Sequence, residues 1–179
     1  MTGSTGSIRK SRPFNGNRKG KTMGETEFII EPGRQDIIMT RVFDAPRDVV
    51  FTACTDPNLI PKWWSPARYE TTVDRAEVRP GGLWRYVSRD ADGTEYGFKG
   101  VYHDIVVPER VVQTFEFEGM PGHVSLETVT FEEVDGKTKY VSVSVFQSIE
   151  DRDGMAQSGM VEGASEGMDR LAELIQSLL

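Results

Sequence analysis

From Asp153 to Leu179 the apolar side chains fall at Met160, Ala164, Met168, Leu171, Ile175 and Leu178. Steps of three and four residues draw a single stripe down an α-helix. A helix with one apolar face has to lie on something, and nearly all the strand-like sequence precedes it. The chain is thereby constrained to a sheet with a long terminal helix laid against it. Gly159, Gly163 and Gly167 recur at every fourth position of that helix. Each costs roughly 1 kcal/mol against Ala in a helix interior. Two accounts meet that cost: close packing against a neighbour, or room left for a ligand between helix and sheet.

The strands that must supply the sheet are legible in order. Asp36 to Phe43 alternates, with Ile37, Met39, Arg41 and Phe43 on one side and Ile38 and Val42 on the other. Asp44-Ala45-Pro46 then signals a helix start, an acidic cap followed by Pro in the first turn. Val49, Val50, Ala53 and Cys54 give that helix its apolar face. Thr55-Asp56-Pro57 opens a second, shorter helix that Pro61 stops. Trp63 and Trp64 follow, and adjacent side chains cannot both point one way. One belongs in the core and the other lines a cavity or a contact surface. Strands are expected at 69–78, 83–88, 94–106, 110–117, 123–133 and 137–147. The turns between them carry Gly81-Gly82, Asp92-Gly93 and Asp135-Gly136. The expectation is an α+β architecture, a curved antiparallel sheet of about seven strands wrapped around a long C-terminal helix, with two short helices after the first strand.

Charge separates the ends of the chain. Residues 1–23 hold six basic side chains and no acid, which leaves 15 bases and 28 acids for the rest, a charge of −13. Residues 1–24 are expected to be a disordered basic tail, because they contain too little apolar surface to offset their ordering entropy. Gly16, Gly20, Lys21 and Thr22 imitate a phosphate loop but are one residue short of its spacing and follow no strand, so that reading is rejected. An acidic body argues against nucleic acid or an anionic membrane as partner of the domain. The one cysteine, Cys54, excludes an internal disulfide and fits a reducing, cytoplasmic setting. No apolar run is long enough to span a membrane.

Chemistry is harder to find. His103 and His123 have no Cys or His partner at metal-ligand spacing, and no Gly-x-Ser-x-Gly elbow occurs. Cys54 on an apolar helix face reads as an inert buried thiol. No catalytic residue, metal or cofactor is assigned, and the acid pairs read as solvated faces. Binding is better marked. Strand alternation puts Trp84, Tyr86, Phe115 and Phe117 toward one space with Gln113 as a polar group among them. Met160, Gly163 and Met168 of the helix and Trp64 complete the candidate cavity lining. The competing reading is that the same side chains fill a core.

The motifs carry a resemblance. Phe43-Asp44-Ala45-Pro46-Arg47, Thr55-Asp56-Pro57 and Trp63-Trp64-Ser65-Pro66 open an ordered series. It continues with Arg79-Pro80-Gly81-Gly82-Leu83-Trp84-Arg85-Tyr86, Asp92-Gly93, Gly100-Val101-Tyr102, Pro108-Glu109-Arg110 and Val129-Thr130-Phe131. Over residues 34 to 179 this resembles the START-like, or SRPBCC, superfamily, in the branch of activator of heat-shock protein 90 ATPase homologues. The resemblance implies one helix-grip domain over 34–179, whose sheet grips the terminal helix around a hydrophobic cavity. It implies binding of a small hydrophobic or aromatic molecule there. Two alternatives stay open: a cavity enzyme of polyketide cyclase or dehydratase type, needing a cavity-facing His or Tyr with a hydrogen-bonded partner, and a stress-response or chaperone-associated interaction module using an exposed apolar patch around Trp63. A homodimer through an edge strand or the Trp region is compatible with either.

Overall fold

The computed structural model describes residues 24–179, so the expected tail lies outside the described residues except for Gly24. The strands are β1 (Glu27–Ile29), β2 (Asp36–Phe43), β3 (Glu70–Ala76), β4 (Leu83–Arg89), β5 (Glu95–Val106), β6 (Arg110–Phe117), β7 (Val124–Val134) and β8 (Lys137–Val145). They form one curved antiparallel sheet in the order β1-β2-β8-β7-β6-β5-β4-β3. From β3 to β8 the chain meanders, each strand pairing with the next. The β7–β8 turn uses Asp135 at φ 51° and Gly136 at φ 74°, the positive pair that a tight hairpin requires. β1 precedes the expected domain start at residue 34 and extends the sheet beyond β2.

The step from β2 to β3 positions everything else. β2 lies near one edge and β3 forms the other. The chain between them therefore crosses the whole sheet, and it does so over the concave face. It carries helix α1 (Arg47–Thr55), one 3-10 turn at Ile60–Lys62 and the Trp63-Trp64 loop. The Thr138 hydroxyl donates to Ala45 O at 2.8 Å and fixes the entry to the crossing. Two local expectations change here. Pro46, with no side-chain bond, occupies the cap position of α1 where Asp44 was expected. Pro61 lies inside the 3-10 turn instead of ending a helix.

The terminal helix is interrupted. Helix α2 (Ile149–Gln157) and helix α3 (Met160–Leu178) are separated at Ser158-Gly159. Gly159 has φ 83°, a left-handed conformation that glycine adopts without steric cost. It is thus a break and not an interior helix residue. Ser148 starts α2, its hydroxyl accepting from the Asp151 N–H at 3.0 Å.

The core fills one half of the concavity. Val50, Phe51 and Ala53 of α1 and Leu171 and Ile175 of α3 are buried against Val111, Val129, Phe131 and Tyr140 of the sheet. Phe51 meets Phe131 edge-on at 5.2 Å, and Phe131 meets Tyr140 at 5.7 Å. Hydrogen bonds and an ion pair tether α3 to β2 and to the crossing. Asp169 bonds Arg41 on β2 at 2.6 Å, Gln176 donates to Asp44 O, and Glu166 accepts from the Ala67 N–H.

Candidate functional site

Residues paired in one row of an antiparallel sheet project from the same face. One row crosses the concave face as Ser144, Glu127, Gln113 and Tyr102. It marks the boundary of the packed core. Gln113 Nε2 donates to one Glu127 oxygen at 3.1 Å, and the Ser144 hydroxyl donates to the other at 3.3 Å. Burial pushes the Glu127 carboxyl above its usual range, and these two bonds oppose that shift only in part. Among the described residues no Lys, Arg or His forms an ion pair with it. At the far end of the row the Tyr102 hydroxyl lies 3.2 Å from that of Tyr86.

Beyond this row, away from α1, the concave face is aromatic. Phe115 and Phe117 of β6 stack at a tilt on Phe98 of β5, at 5.7 and 5.3 Å. Trp84 of β4 lies 6.1 Å from Phe115 and 4.8 Å from Tyr86. Trp84 can lie flat because its partner across the ladder is Gly100. A Cβ there would come within 2.6 Å of the indole nitrogen and 1.9 Å of Thr114 O. Trp64 roofs this wall. Its ring meets Trp84, Tyr86 and Phe98 edge-on at 5.9, 4.9 and 6.4 Å. Trp84 and Tyr86 are buried at 1% and 4%, whereas Trp64, Phe98, Phe115 and Phe117 each keep accessible surface. The half-buried Gln113, Glu127 and Ser144 continue that surface. The result is a partly accessible aromatic strip along the concave face, a shallow groove at most, that adjoins the Glu127 carboxyl.

The structure brings together six of the side chains expected to line a cavity: Trp64, Trp84, Tyr86, Gln113, Phe115 and Phe117. The helix residues stand differently. Met168 is 2% exposed and belongs to the packed core. Met160 opens α3, half-buried. Gly163 and Gly167 face the Trp loop. A Cβ on Gly167 would come within 3.1 Å of Trp63 O, and one on Gly163 would meet only Pro66, at 3.7 Å. At Gly167 the small residue serves close packing between helix and loop.

Trp63, expected in one alternative to centre an exposed patch, is instead buried at 9%, its indole donating to Ala53 O at 2.9 Å. Sequence reasoning missed Phe98, Tyr102, Glu127 and Ser144. Glu127 alternates in phase with Val129 and Phe131, a signal that would have turned it inward.

The phenols and the thiol on this side of the sheet are poised to stay neutral. Burial raises the phenols of Tyr86, Tyr102 and Tyr140 and the thiol of Cys54. They can donate hydrogen bonds but are poor bases. His103 is exposed, and His123 bonds Asp151 at 2.7 Å at the surface. Among the described residues no three His, Cys, Asp or Glu converge as metal ligands, and no helix is long and apolar enough to cross a membrane. Two clefts of about 470 and 310 Å³ lie along β1, β2 and α3, lined by residues such as Glu25, Thr26, Asp169 and Lys139. The larger is lined mostly by polar surface and the smaller mostly by apolar surface, but neither holds an aromatic side chain, so the aromatic groove is the better candidate for a small aromatic molecule.

A family model described as Activator of Hsp90 ATPase homolog 1-like protein matches residues 44–176. Solved structures of similar fold include a Rhodobacter sphaeroides protein, 25% identical, with a TM-score of 0.79 over 86% of this chain and 99% of that one. A Mycobacterium smegmatis protein is 25% identical, with a TM-score of 0.76 over 83% of this chain and 94% of that one. A protein from Arthrobacter aurescens, 24% identical, shares the fold with a TM-score of 0.78 over 84% and 91% of the two chains. No curated protein matches the chain.

Proposed function

We propose that this chain, which belongs to the family of Activator of Hsp90 ATPase homolog 1-like proteins, binds a small hydrophobic or aromatic molecule in the groove beside Trp64. The observation that carries the reading is the half-buried aromatic wall of Phe98, Phe115 and Phe117 under that indole. Side chains of this kind bury apolar surface, worth roughly 25 cal/mol per Å². On the inner half of the concavity that surface is satisfied by α1 and α3. On the outer half Phe98, Phe115 and Phe117 stay partly accessible beside Trp64, which leaves an incentive for a guest. The protein then works as a single helix-grip domain, the expected span of 34–179 extended by β1, in the cytoplasm, as a carrier or sensor of such a molecule.

A second reading has one observation in its favour. The Tyr86–Tyr102 hydroxyl pair is a concave-face tyrosine with a hydrogen-bonded partner, which a cavity enzyme acting on a bound ring would need. Burial holds both phenols protonated, so they suit a proton donor and not a base. Titration of 2-naphthylmethanol against tryptophan emission tests the binding reading. Saturable quenching with one site per chain is expected. Linear, non-saturating quenching up to the solubility limit would overturn it.

A further inference from the structure

The groove is apolar along its length but ends on a carboxyl, and the surroundings of that carboxyl are incomplete. Glu127 accepts one bond from Gln113 and one from Ser144, both neutral. A carboxylate has about four acceptor sites on its two oxygens, and the protein itself takes up two of them. The two deeply buried cations among the described residues are both engaged elsewhere. Arg41 bonds Asp169 and Thr26, and Arg152 bonds Glu31 O and Asp153. Even a half-buried carboxylate is costly to keep ionised without a cation beside it. Next to it, Phe115 pairs with Ser125 one step along the same ladder, and the aromatic wall begins there. Aromatic faces attract cations within about 6 Å of the ring. Outside its first 23 residues the chain carries −13, a field that also favours a cation.

Resting on the binding reading above, we infer that the occupant is an aromatic or polycyclic amine, its ring against Phe98, Phe115 and Phe117 and its ammonium on Glu127. The ammonium supplies the charge partner the fold omits and up to three donors for the open acceptor sites. Gln113 and Ser144 are positioning residues: by holding one oxygen each, they aim the remaining lone pairs into the groove. The arrangement discriminates against anions of the same shape, which would place like charges together in a desolvated site.

Three probes of one shape and different charge test this: 2-naphthylmethylamine, 2-naphthylmethanol and 2-naphthoate, measured by calorimetry on the full chain and on Glu127→Gln. The amine is expected to bind wild type at least tenfold more tightly than the alcohol, and the naphthoate more weakly than both. In Glu127→Gln the amine should fall to the affinity of the alcohol while the alcohol keeps its own. Equal binding of amine and alcohol to wild type, or an amine preference that survives in Glu127→Gln, would overturn the amine assignment and leave the groove standing. Failure of all three probes would overturn the groove itself and this inference with it. The wild-type comparison stands alone should the variant fold poorly.

Discussion

Glu127→Gln makes the sharpest prediction about the energetics of the concave face. The substitution keeps the shape of the side chain and both hydrogen bonds: the new amide oxygen accepts from Gln113, and its NH₂ donates to Ser144. It removes only the ability to ionise. Burial raises the Glu127 carboxyl in the folded protein, so the folded state holds this proton more tightly than the unfolded state, which releases it near pH 4.3. The corresponding stability is fully present below that pH and is lost as pH rises through the folded value. In that window wild type loses up to about 1.4 kcal/mol per pH unit relative to the variant, the slope for one proton. Cys54 and Tyr140, the other titratable groups coupled to this region, are both raised by burial and stay neutral throughout. Carboxyls lowered by arginines, such as Glu118 beside Arg85, titrate alike in both proteins and cancel. Urea unfolding of both proteins from about pH 4 to 8 reads the difference directly. The variant should equal wild type at the acid end and exceed it increasingly toward neutrality, with a melting temperature about 2–4 °C higher per kcal/mol. A difference that stays flat with pH, or a variant less stable at neutral pH, would refute the argument that this carboxyl is desolvated.

Other substitutions separate packing from binding. Gly167→Leu forces a side chain against Trp63 O, where even a Cβ sits at 3.1 Å. It should cost about 1–3 kcal/mol of stability. Gly163→Leu meets only Pro66 at 3.7 Å and gains helix propensity, so thermal melts should show it within about 1 kcal/mol of wild type. Asp169→Asn leaves the 6% exposed Arg41 without its charge partner. Because Asp169 itself is largely exposed, the loss should be about 1–2 kcal/mol in urea unfolding. Trp64→Ala removes an indole that touches four other rings. It should cost about 3 kcal/mol, the lower end for such truncations because the ring is only partly buried, and should weaken naphthyl binding.

Much of the fold was legible because each strand carries its own alternation and each hairpin its own turn residues. Asp36–Phe43 and Arg110–Phe117 are recovered residue for residue. β1 is three residues long, too short for a period to register. The break at Gly159 was hidden because a fourfold glycine spacing reads the same whether a glycine sits inside a helix or ends one. Only its φ distinguishes the two. The same reasoning read Gly167 ambiguously, and the close approach of Trp63 O resolves it. Within the candidate site, strand parity located Trp84, Tyr86, Gln113, Phe115 and Phe117. It missed Glu127 because acidic residues were assigned to solvent by type, whereas the pleat turns this one inward. Phe98 was missed because Gly97 and Gly100 beside it suggested an irregular strand. Gly100 makes space for Trp84 within the regular β4–β5 pairing, while the expected irregularity of the strand appears on its other side, as a register shift against β6 between Tyr102 and Asp104.

The central claim is that the outer half of the concave face accepts an apolar molecule. Intermolecular nuclear Overhauser effects between 2-naphthylmethanol and the side chains of the labelled protein test it most directly. The account predicts contacts from the naphthalene protons to Trp64, Phe98, Phe115 and Phe117. Contacts confined to the exposed outer face of the sheet, at Leu126 and Val145, or no contacts at saturating probe, would contradict it.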